Sequence, residues 1–327
     1  MSTDQMTWQE RLTGSFFPAV PVTFDANGQI NAEAQAQYAR WMSMQPATGV
    51  AIWAHTGRGL FLSASEREDV FRTWRSNLRP EQMIICGVGS RRQPGGDGSG
   101  EEEFLSEARA MAEQAKVLGA DVLLIYPPTY YRGRKDQEAS IVAYHQMLAE
   151  FKLPMILFYL YAEAGGISYT DAVLRQLLDM DQAVGIKMAT LDSVTTYQDV
   201  CTMIQKEFPD KVVVTGEDRF VGYTYLRGAR SALVGLGSAC TSLQVDMAQS
   251  YFRGDYARFV DRMVKVDKLA ECTFIHPMEG YIQRMLYVLA LQGIIPMEAA
   301  HDPFGPGITD AEQKRIRETL ADLQMLP

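Results

Sequence analysis

Short apolar runs recur along this chain, each bounded by turn-forming residues and followed by a stretch with helical periodicity. The eight runs lie at residues 16–24, 49–54, 83–88, 121–126, 155–160, 183–187, 212–215 and 232–236. Most are continuously apolar, as expected for parallel strands that are covered by helices on one face and by a packed interior on the other. The pattern therefore predicts a (β/α)8 TIM barrel, an α/β fold.

The segments between these runs, and the C-terminal part of the chain, favour helices. Amphipathic patterns cover residues 32–44, 65–77, 102–118, 138–151, 170–180, 195–208 and 219–228. Beyond residue 243 only helical patterns follow, at residues 244–251, 256–272, 280–292 and 310–326. We therefore predict a barrel over residues 1–240 and a C-terminal helical extension over residues 241–327. A polar, glycine-rich insertion at residues 91–100 predicts a flexible loop after the third strand.

The composition of the 327 residues narrows the class of protein. With 31 basic and 40 acidic residues, the net charge of −9 argues against a nucleic-acid partner. No apolar run approaches the ~20 residues that cross a bilayer, so no membrane partner is expected. The polar N-terminus does not resemble a secretory signal, and four scattered cysteines indicate neither disulfides nor a zinc site. These features favour a cytoplasmic protein.

The strongest candidate for chemistry is a lysine near the end of the sixth apolar run. Alternation along residues 183–190 (AVGIKMAT) places Lys187 on one face between Gly185 and Ala189, and the even-numbered side chains, beginning with Val184, on the other. An ammonium inside an apolar barrel loses hydration, so its pKa falls and the neutral amine can attack a ketone. The alternatives are a lysine that extends to the barrel mouth, or one paired with a buried carboxylate.

Loops after three other strands carry further candidate side chains. His55 and residues 56–59 (TGRG) form a turn that either binds a carboxylate through peptide N–H groups or is a plain surface turn. Residues 130–132 (YYR) either transfer protons and bind anions or pack a subunit contact. Tyr159 and Tyr161 end the fifth run, as proton shuttles or as buried filling.

The order and spacing of these motifs resemble those of the dihydrodipicolinate synthase and N-acetylneuraminate lyase family of class I aldolases. The resemblance spans roughly residues 12–256 and is strongest at residues 185–190 (GIKMAT), where Met188 replaces the glutamate of the family's lysine motif. Weaker matches lie at residues 18–23 (PAVPVT), 56–57 (TG), 130–131 (YY), 153–154 (LP) and 216–218 (GED).

The resemblance implies roles for individual residues. Lys187 would form the Schiff base with pyruvate or another 2-oxo acid, whose carboxylate Thr56 and the backbone of Gly57 would hold. Tyr131 would assist proton transfer, and in this family it can come from a neighbouring subunit, so a homodimer or homotetramer is expected. The remaining positions expected to contact the substrate are His55, Arg58, Gly216 and Leu236. No metal or organic cofactor is implied, since the Schiff base replaces a Lewis acid.

Substrate recognition departs from the family pattern. His55 stands where a hydroxyl residue is usual, and Arg58 stands where a glutamate is usual. The loop at residues 162–165 (AEAG) lacks the family's substrate-binding arginine. We expect the charge of Arg58 to compensate for that loss.

The position of the proton-relay tyrosine is ambiguous. Counting four residues from Pro154 gives Phe158, whereas counting back 28 residues from Lys187 gives Tyr159. One inserted residue, either between Pro154 and Tyr159 or between Phe158 and Lys187, explains the conflict. We favour Tyr159 as the relay.

We therefore expect a cytoplasmic lyase that cleaves or forms a C–C bond next to an imine between Lys187 and a 2-oxo acid, with Tyr159 as the proton-transfer group. A dehydratase for 2-keto-3-deoxy sugar acids would use the same imine but expel water. A catalytically silent protein that binds a 2-oxo acid as a sensor or scaffold is the third alternative, and Phe158 in the relay position would favour it.

Overall fold

The computed structural model describes residues 6–93 and 100–327, and its centre is an eight-stranded parallel sheet. The strands are β1 (Phe16–Pro18), β2 (Gly49–Ile52), β3 (Met83–Val88), β4 (Val122–Ile125), β5 (Met155–Leu160), β6 (Ala183–Ala189), β7 (Val212–Thr215) and β8 (Ser231–Val234). Neighbours follow chain order from β2 to β8, β8 pairs with β1, and an isolated bridge joins Ala19 to Ala51. The strands form a nearly closed barrel, which confirms the predicted fold class.

Helices connect the strands, as the periodicity predicts. They are α1 (Trp8–Leu12), α2 (Ala32–Ser43), α3 (Ala64–Asn77), α4 (Glu101–Leu118), α5 (Gln137–Ala149), α6 (Asp171–Leu178), α7 (Val194–Glu207) and α8 (Val221–Leu226). The C-terminal helices are α9 (Thr241–Phe252), α10 (Tyr256–Thr273), α11 (Tyr281–Leu291) and α12 (Asp310–Asp322). The sequence pattern misses α1, because five residues are too few to show a periodicity. The first predicted strand is also too long: Pro18 and Pro21 lack the N–H groups that a longer ladder needs.

Alternate strand residues divide the core into a barrel interior and an outer layer beneath the helices. Residues in the interior include Phe17, Ile85, Leu124, Phe158 and Val214. Residues in the outer layer include Val50, Ile84, Leu123, Leu157 and Ile186. The predicted alternation in β6 is wrong for Val184, which packs into the interior, because the register between β5 and β6 shifts by one residue after Met155.

The C-terminal helices hold the segment after α10 against the mouth of the barrel. Arg284 of α11 is 1% exposed and donates hydrogen bonds to the carbonyl oxygens of Thr273, Ile275 and Pro277. The same guanidinium pairs with Glu312 of α12 at 2.6 Å. Both parts of the chain thus build the mouth, and the proposed division at residue 240 stays a prediction.

Three smaller expectations concern the rest of the chain. All four cysteines are buried free thiols. Within the part of the chain that the structure describes, no helix combines the length and apolarity that a membrane span requires. The predicted flexible loop at residues 91–100 falls mostly on residues 94–99, which lie outside the described residues.

Candidate active site

Lys187 points into the barrel interior from the C-terminal half of β6, on the face that the alternation predicts. It pairs in register with Phe158 of β5, and its Nζ lies 4.2 Å from the centroid of that ring. The residue is only 6% exposed. Gly216, directly after β7, leaves room for the side chain, because a Cβ there would lie 2.5 Å from Lys187 Cε. A side chain at residue 216 would therefore displace the lysine.

Burial controls the charge of this amine. Loss of hydration lowers the pKa of Lys187 to about 8, against the opposing effect of the Asp218 and Glu217 carboxyl groups. Burial likewise raises the pKa of Asp218, which a hydrogen bond from the Leu236 N–H at 2.7 Å and the lysine charge oppose. The amine is thus more easily deprotonated than an exposed lysine, as a nucleophile for ketones requires.

A chain of hydrogen bonds lies beyond the end of β2. Thr56 Oγ1 is 2.9 Å from the hydroxyl of Tyr281, and that hydroxyl is 3.1 Å from Nδ1 of His55. Nε2 of His55 is 3.2 Å from Oε1 of Glu279. Tyr281 begins α11 and Glu279 lies just before it, so the C-terminal extension completes a site that the β2 loop begins. The ring of Tyr281 is stacked on Phe274, with centroids 4.5 Å apart.

Arg58 binds two carboxylates of the C-terminal extension. Its Nε and Nη2 bind Asp302, the shortest contact being 2.7 Å, and its Nη1 donates to Glu279 Oε2 at 2.9 Å. Burial raises the pKa of Glu279, but hydrogen bonds from His55 and Arg58 outweigh this effect and hold that pKa at about 2. Asp302 and Glu279 already neutralise the charge of Arg58, which argues against its offering that charge to a substrate anion. Its contact with a substrate stays a prediction.

A cavity of about 420 Å³ opens at this end of the barrel. The residues that line it include His55, Arg58, Tyr126, Leu160 and Glu279. Its size suits a small organic acid. Lys187 is not among the described residues that line this cavity, and its side chain is only 6% exposed.

Of the two candidates for the relay position, Phe158 faces Lys187. Tyr159 belongs to the outer layer, where its ring packs edge-on against Tyr169 with centroids 5.5 Å apart. The expectation that Tyr159 faces the lysine is wrong, because Phe158 pairs with Lys187 in register and the next residue points to the opposite side. The register shift at Val184 adds one residue to β6 between Phe158 and Lys187, which is one of the two places that the sequence allows for an insertion.

Three further residues that are expected to contact the substrate make contacts with other parts of this chain. Tyr131 packs against α4 outside the barrel interior, and its role at a subunit contact stays a prediction. The N–H of Gly57 donates to Ala54 at 2.9 Å and closes the turn. The N–H of Leu236 donates to Asp218. Neither of these N–H groups is free for a substrate carboxylate, and the contact of the Thr56 hydroxyl with a substrate stays a prediction.

Sequence reasoning misses Tyr281, Glu279 and Asp302. They are separated from their partners in the β2 loop by 221 to 244 residues, so no short motif contains both halves of a contact. The sequence offers one indirect signal, the arginine beside the predicted site. If that arginine is buried, carboxylates from elsewhere in the chain have to pair with it.

Comparison with known proteins identifies the family. The model described as the dihydrodipicolinate synthetase family matches residues 12–323. The chain belongs to this family. It is accordingly an enzyme of the lyase class, and the resemblance inferred from its motifs is confirmed.

The named members of the family are distant relatives. The 4-hydroxy-tetrahydrodipicolinate synthase of Anaeromyxobacter sp. (strain Fw109-5) is 22% identical over 311 residues, which cover 95% of this chain and 97% of that protein. The sialic acid aldolase of Ruminococcus gnavus has a TM-score of 0.80 at 16% identity, with 96% of this chain and 99% of that chain covered. YagE, a prophage protein of E. coli K12 solved in complex with pyruvate, has a TM-score of 0.82 at 19% identity, with 95% and 98% covered. Both structures share the barrel fold with this chain.

Proposed function

We propose that this enzyme is a class I, Schiff-base aldolase that acts on pyruvate or another 2-oxo acid and cleaves or forms a C–C bond. The observation that carries the proposal is the buried amine of Lys187 inside the barrel, beside the Phe158 ring and with a lowered pKa. A 2-oxo acid substrate is also supported by the similar fold of YagE, which was solved in complex with pyruvate. The cytoplasmic location and the homodimeric or homotetrameric state expected from the sequence belong to the same proposal.

The chemistry follows from a neutral amine in this position. Lys187 Nζ attacks the C2 carbonyl of the 2-oxo acid, and loss of water leaves an imine, which is protonated. In a 4-hydroxy-2-oxo acid the iminium withdraws electrons from the C3–C4 bond. A base takes the proton of the C4 hydroxyl, the C4 oxygen becomes the carbonyl of the departing aldehyde, and the electron pair of the broken bond forms an enamine. Protonation of the enamine at C3 and hydrolysis then release pyruvate and restore the amine.

Borohydride trapping tests the proposal. The protein is incubated with pyruvate, 2-oxobutyrate or 2-oxoglutarate, reduced with sodium borohydride and digested, and the modified peptide is located by mass spectrometry. We expect an adduct at Lys187 with at least one of these acids. Lys187→Arg should give none, because a guanidinium stays protonated and does not attack a ketone.

The matched control is Lys211→Arg, which alters a lysine that lies just before β7 and hydrogen-bonds to the Met180 carbonyl. This variant should be trapped like the wild type. Absence of trapping in the wild type with every acid, or undiminished trapping in Lys187→Arg, overturns the proposal.

Product analysis separates the remaining alternatives. With 2-keto-3-deoxy sugar acids, pyruvate among the products indicates C–C cleavage, whereas a 2-oxo product that keeps all its carbons indicates a dehydratase. Trapping without turnover indicates the silent 2-oxo-acid binder. Phe158 beside the lysine favours that last alternative unless another group of this chain transfers the protons.

A further inference from the structure

With Phe158 beside Lys187, the proton-transfer group of the proposed reaction has to come from another residue. One continuous chain of polar groups lies at the mouth, from Thr56 through Tyr281 and His55 to Glu279. We propose that this chain transfers the protons of the imine reaction and that Tyr281, from the C-terminal extension, supplies the hydroxyl that Phe158 lacks. The inference rests on the proposed Schiff-base function.

The direction of each hydrogen bond follows from the charge of Glu279. Although burial raises its pKa, His55 and Arg58 hold that pKa at about 2, so the carboxylate only accepts hydrogen bonds near neutral pH. Nε2 of His55 therefore carries its proton towards Glu279, 3.2 Å away. In a neutral imidazole Nδ1 is then the acceptor, and it takes the hydrogen bond of the Tyr281 hydroxyl at 3.1 Å.

The same assignment leaves Thr56 as the substrate end of the chain. The Tyr281 oxygen accepts the hydrogen bond of the Thr56 hydroxyl at 2.9 Å, so that lone pairs of Thr56 Oγ1 are free to take a proton. As Thr56 takes that proton, its own hydroxyl proton passes to Tyr281 and the Tyr281 proton passes to His55, where the Glu279 carboxylate stabilises the imidazolium, as in a Ser-His-Asp triad. Glu279 acts through His55 and is a positioning residue.

Burial determines how Tyr281 takes part. Loss of hydration raises the pKa of its hydroxyl well above the ordinary value for a tyrosine, so a free phenolate is disfavoured. Tyr281 therefore has to give a proton to His55 and take one from Thr56 in the same step. It acts as a relay rather than as the final base.

The relay and the lysine lie at the same end of the barrel. A Cβ at Gly235, directly after β8, would lie 2.9 Å from Tyr281 Cε2 and 3.1 Å from Thr56 Oγ1, so the relay lies beside the end of β8. Asp218 interacts electrostatically with both the Tyr281 hydroxyl and the Lys187 amine. The lysine and Tyr281 thus lie within range of the same carboxyl group. In the proposed complex, the imine substrate contacts the Thr56 end of the chain.

Deuterium exchange at C3 of pyruvate isolates the proton step, because it needs the imine and the enamine but no aldehyde. Exchange in D₂O is followed by proton NMR with pyruvate or, if pyruvate is not trapped, with the acid that is. Tyr281→Phe keeps the ring on Phe274 and removes only the hydroxyl. We expect kcat for exchange to fall by ~10²–10⁴-fold with little change in KM, while borohydride trapping at Lys187 is retained.

Two further variants test whether the loss is one of proton transfer. Tyr38→Phe is the matched control, since it removes a buried hydroxyl that donates to the Ser238 carbonyl at 2.7 Å outside the barrel interior, and its exchange rate should equal that of the wild type. Phe158→Tyr in the Tyr281→Phe background returns a hydroxyl beside Lys187 and should recover at least about tenfold of the lost rate.

The outcomes separate this inference from the proposed function. Trapping in the wild type without exchange, a loss below about 10²-fold in Tyr281→Phe, or a double variant as slow as Tyr281→Phe overturns the relay and leaves the Schiff base standing. Absence of trapping in the wild type overturns both.

Discussion

Arg58→Ala should destabilise the fold rather than weaken substrate binding. Arg58 and Asp302 are each only 3% exposed, and Nε and Nη2 bind the carboxylate at 3.2 Å and 2.7 Å. Removing the guanidinium leaves Asp302 buried without a cation, which costs about 3–5 kcal/mol when a buried pair is broken from one side. The bond from Nη1 to Glu279 adds less, because that carboxylate is partly exposed. We expect the free energy of unfolding to fall by about 3–5 kcal/mol.

Urea unfolding at pH 7, followed by circular dichroism, measures this change. Arg175→Ala is the matched control, because Arg175 binds Glu207 through two similar bonds, of 2.6 Å and 2.9 Å, on the surface. The two side chains are 44% and 38% exposed, so we expect a loss of about 0–1 kcal/mol. Arg58→Lys should not restore stability, since one ammonium cannot replace the fork that binds Asp302. Equal losses for Arg58→Ala and Arg175→Ala would refute the reasoning from burial.

Two further predictions concern the lysine. Gly216→Ala should abolish borohydride trapping and cost about 1–3 kcal/mol of stability, because its Cβ would lie 2.5 Å from Lys187 Cε and 2.9 Å from the Met188 carbonyl oxygen. Gly307→Ala, whose Cβ would meet nothing within 4 Å, is the control, and normal trapping in Gly216→Ala contradicts the steric argument. The initial rate of trapping should rise about tenfold per pH unit below a pH of about 8 and level off above it, because the amine is neutral above its pKa. A rise that continues unchanged to about pH 10 would show that Lys187 titrates like an exposed lysine.

The parts of the site that the sequence predicts are those determined by local alternation. Lys187 sits within β6 between Gly185 and Ala189, and alternation with a period of two places it inside the barrel. Alternation within β5 does not decide whether Phe158 or Tyr159 faces the lysine, because that depends on the register between β5 and β6. The extra residue at Val184 shifts that register by one, so that Phe158 rather than Tyr159 faces the lysine. No pattern in the neighbouring sequence marks this shift.

The barrel itself is predictable because each β/α unit carries its own pattern, but the mouth is built by contacts between distant segments. Hydrophobic periodicity marks α11 as a helix and gives no indication that its first residue, Tyr281, reaches the loop after β2. That placement depends on Arg284, which ties the preceding segment to α11 and α12 through four groups. Interactions of this kind have no period to detect.

The departures from the family pattern in the β2 loop and the polar groups of the C-terminal extension depend on one another. Arg58 is buried only because Asp302 and Glu279 neutralise it, and Glu279 also contacts Nε2 of His55, whose Nδ1 lies 3.1 Å from the hydroxyl of Tyr281. A glutamate at residue 58, as the family usually has, would place a third carboxylate beside Asp302 and Glu279 with no cation between them. The changes in the two segments are therefore parts of a single rearrangement, and neither segment is physically interpretable without the other.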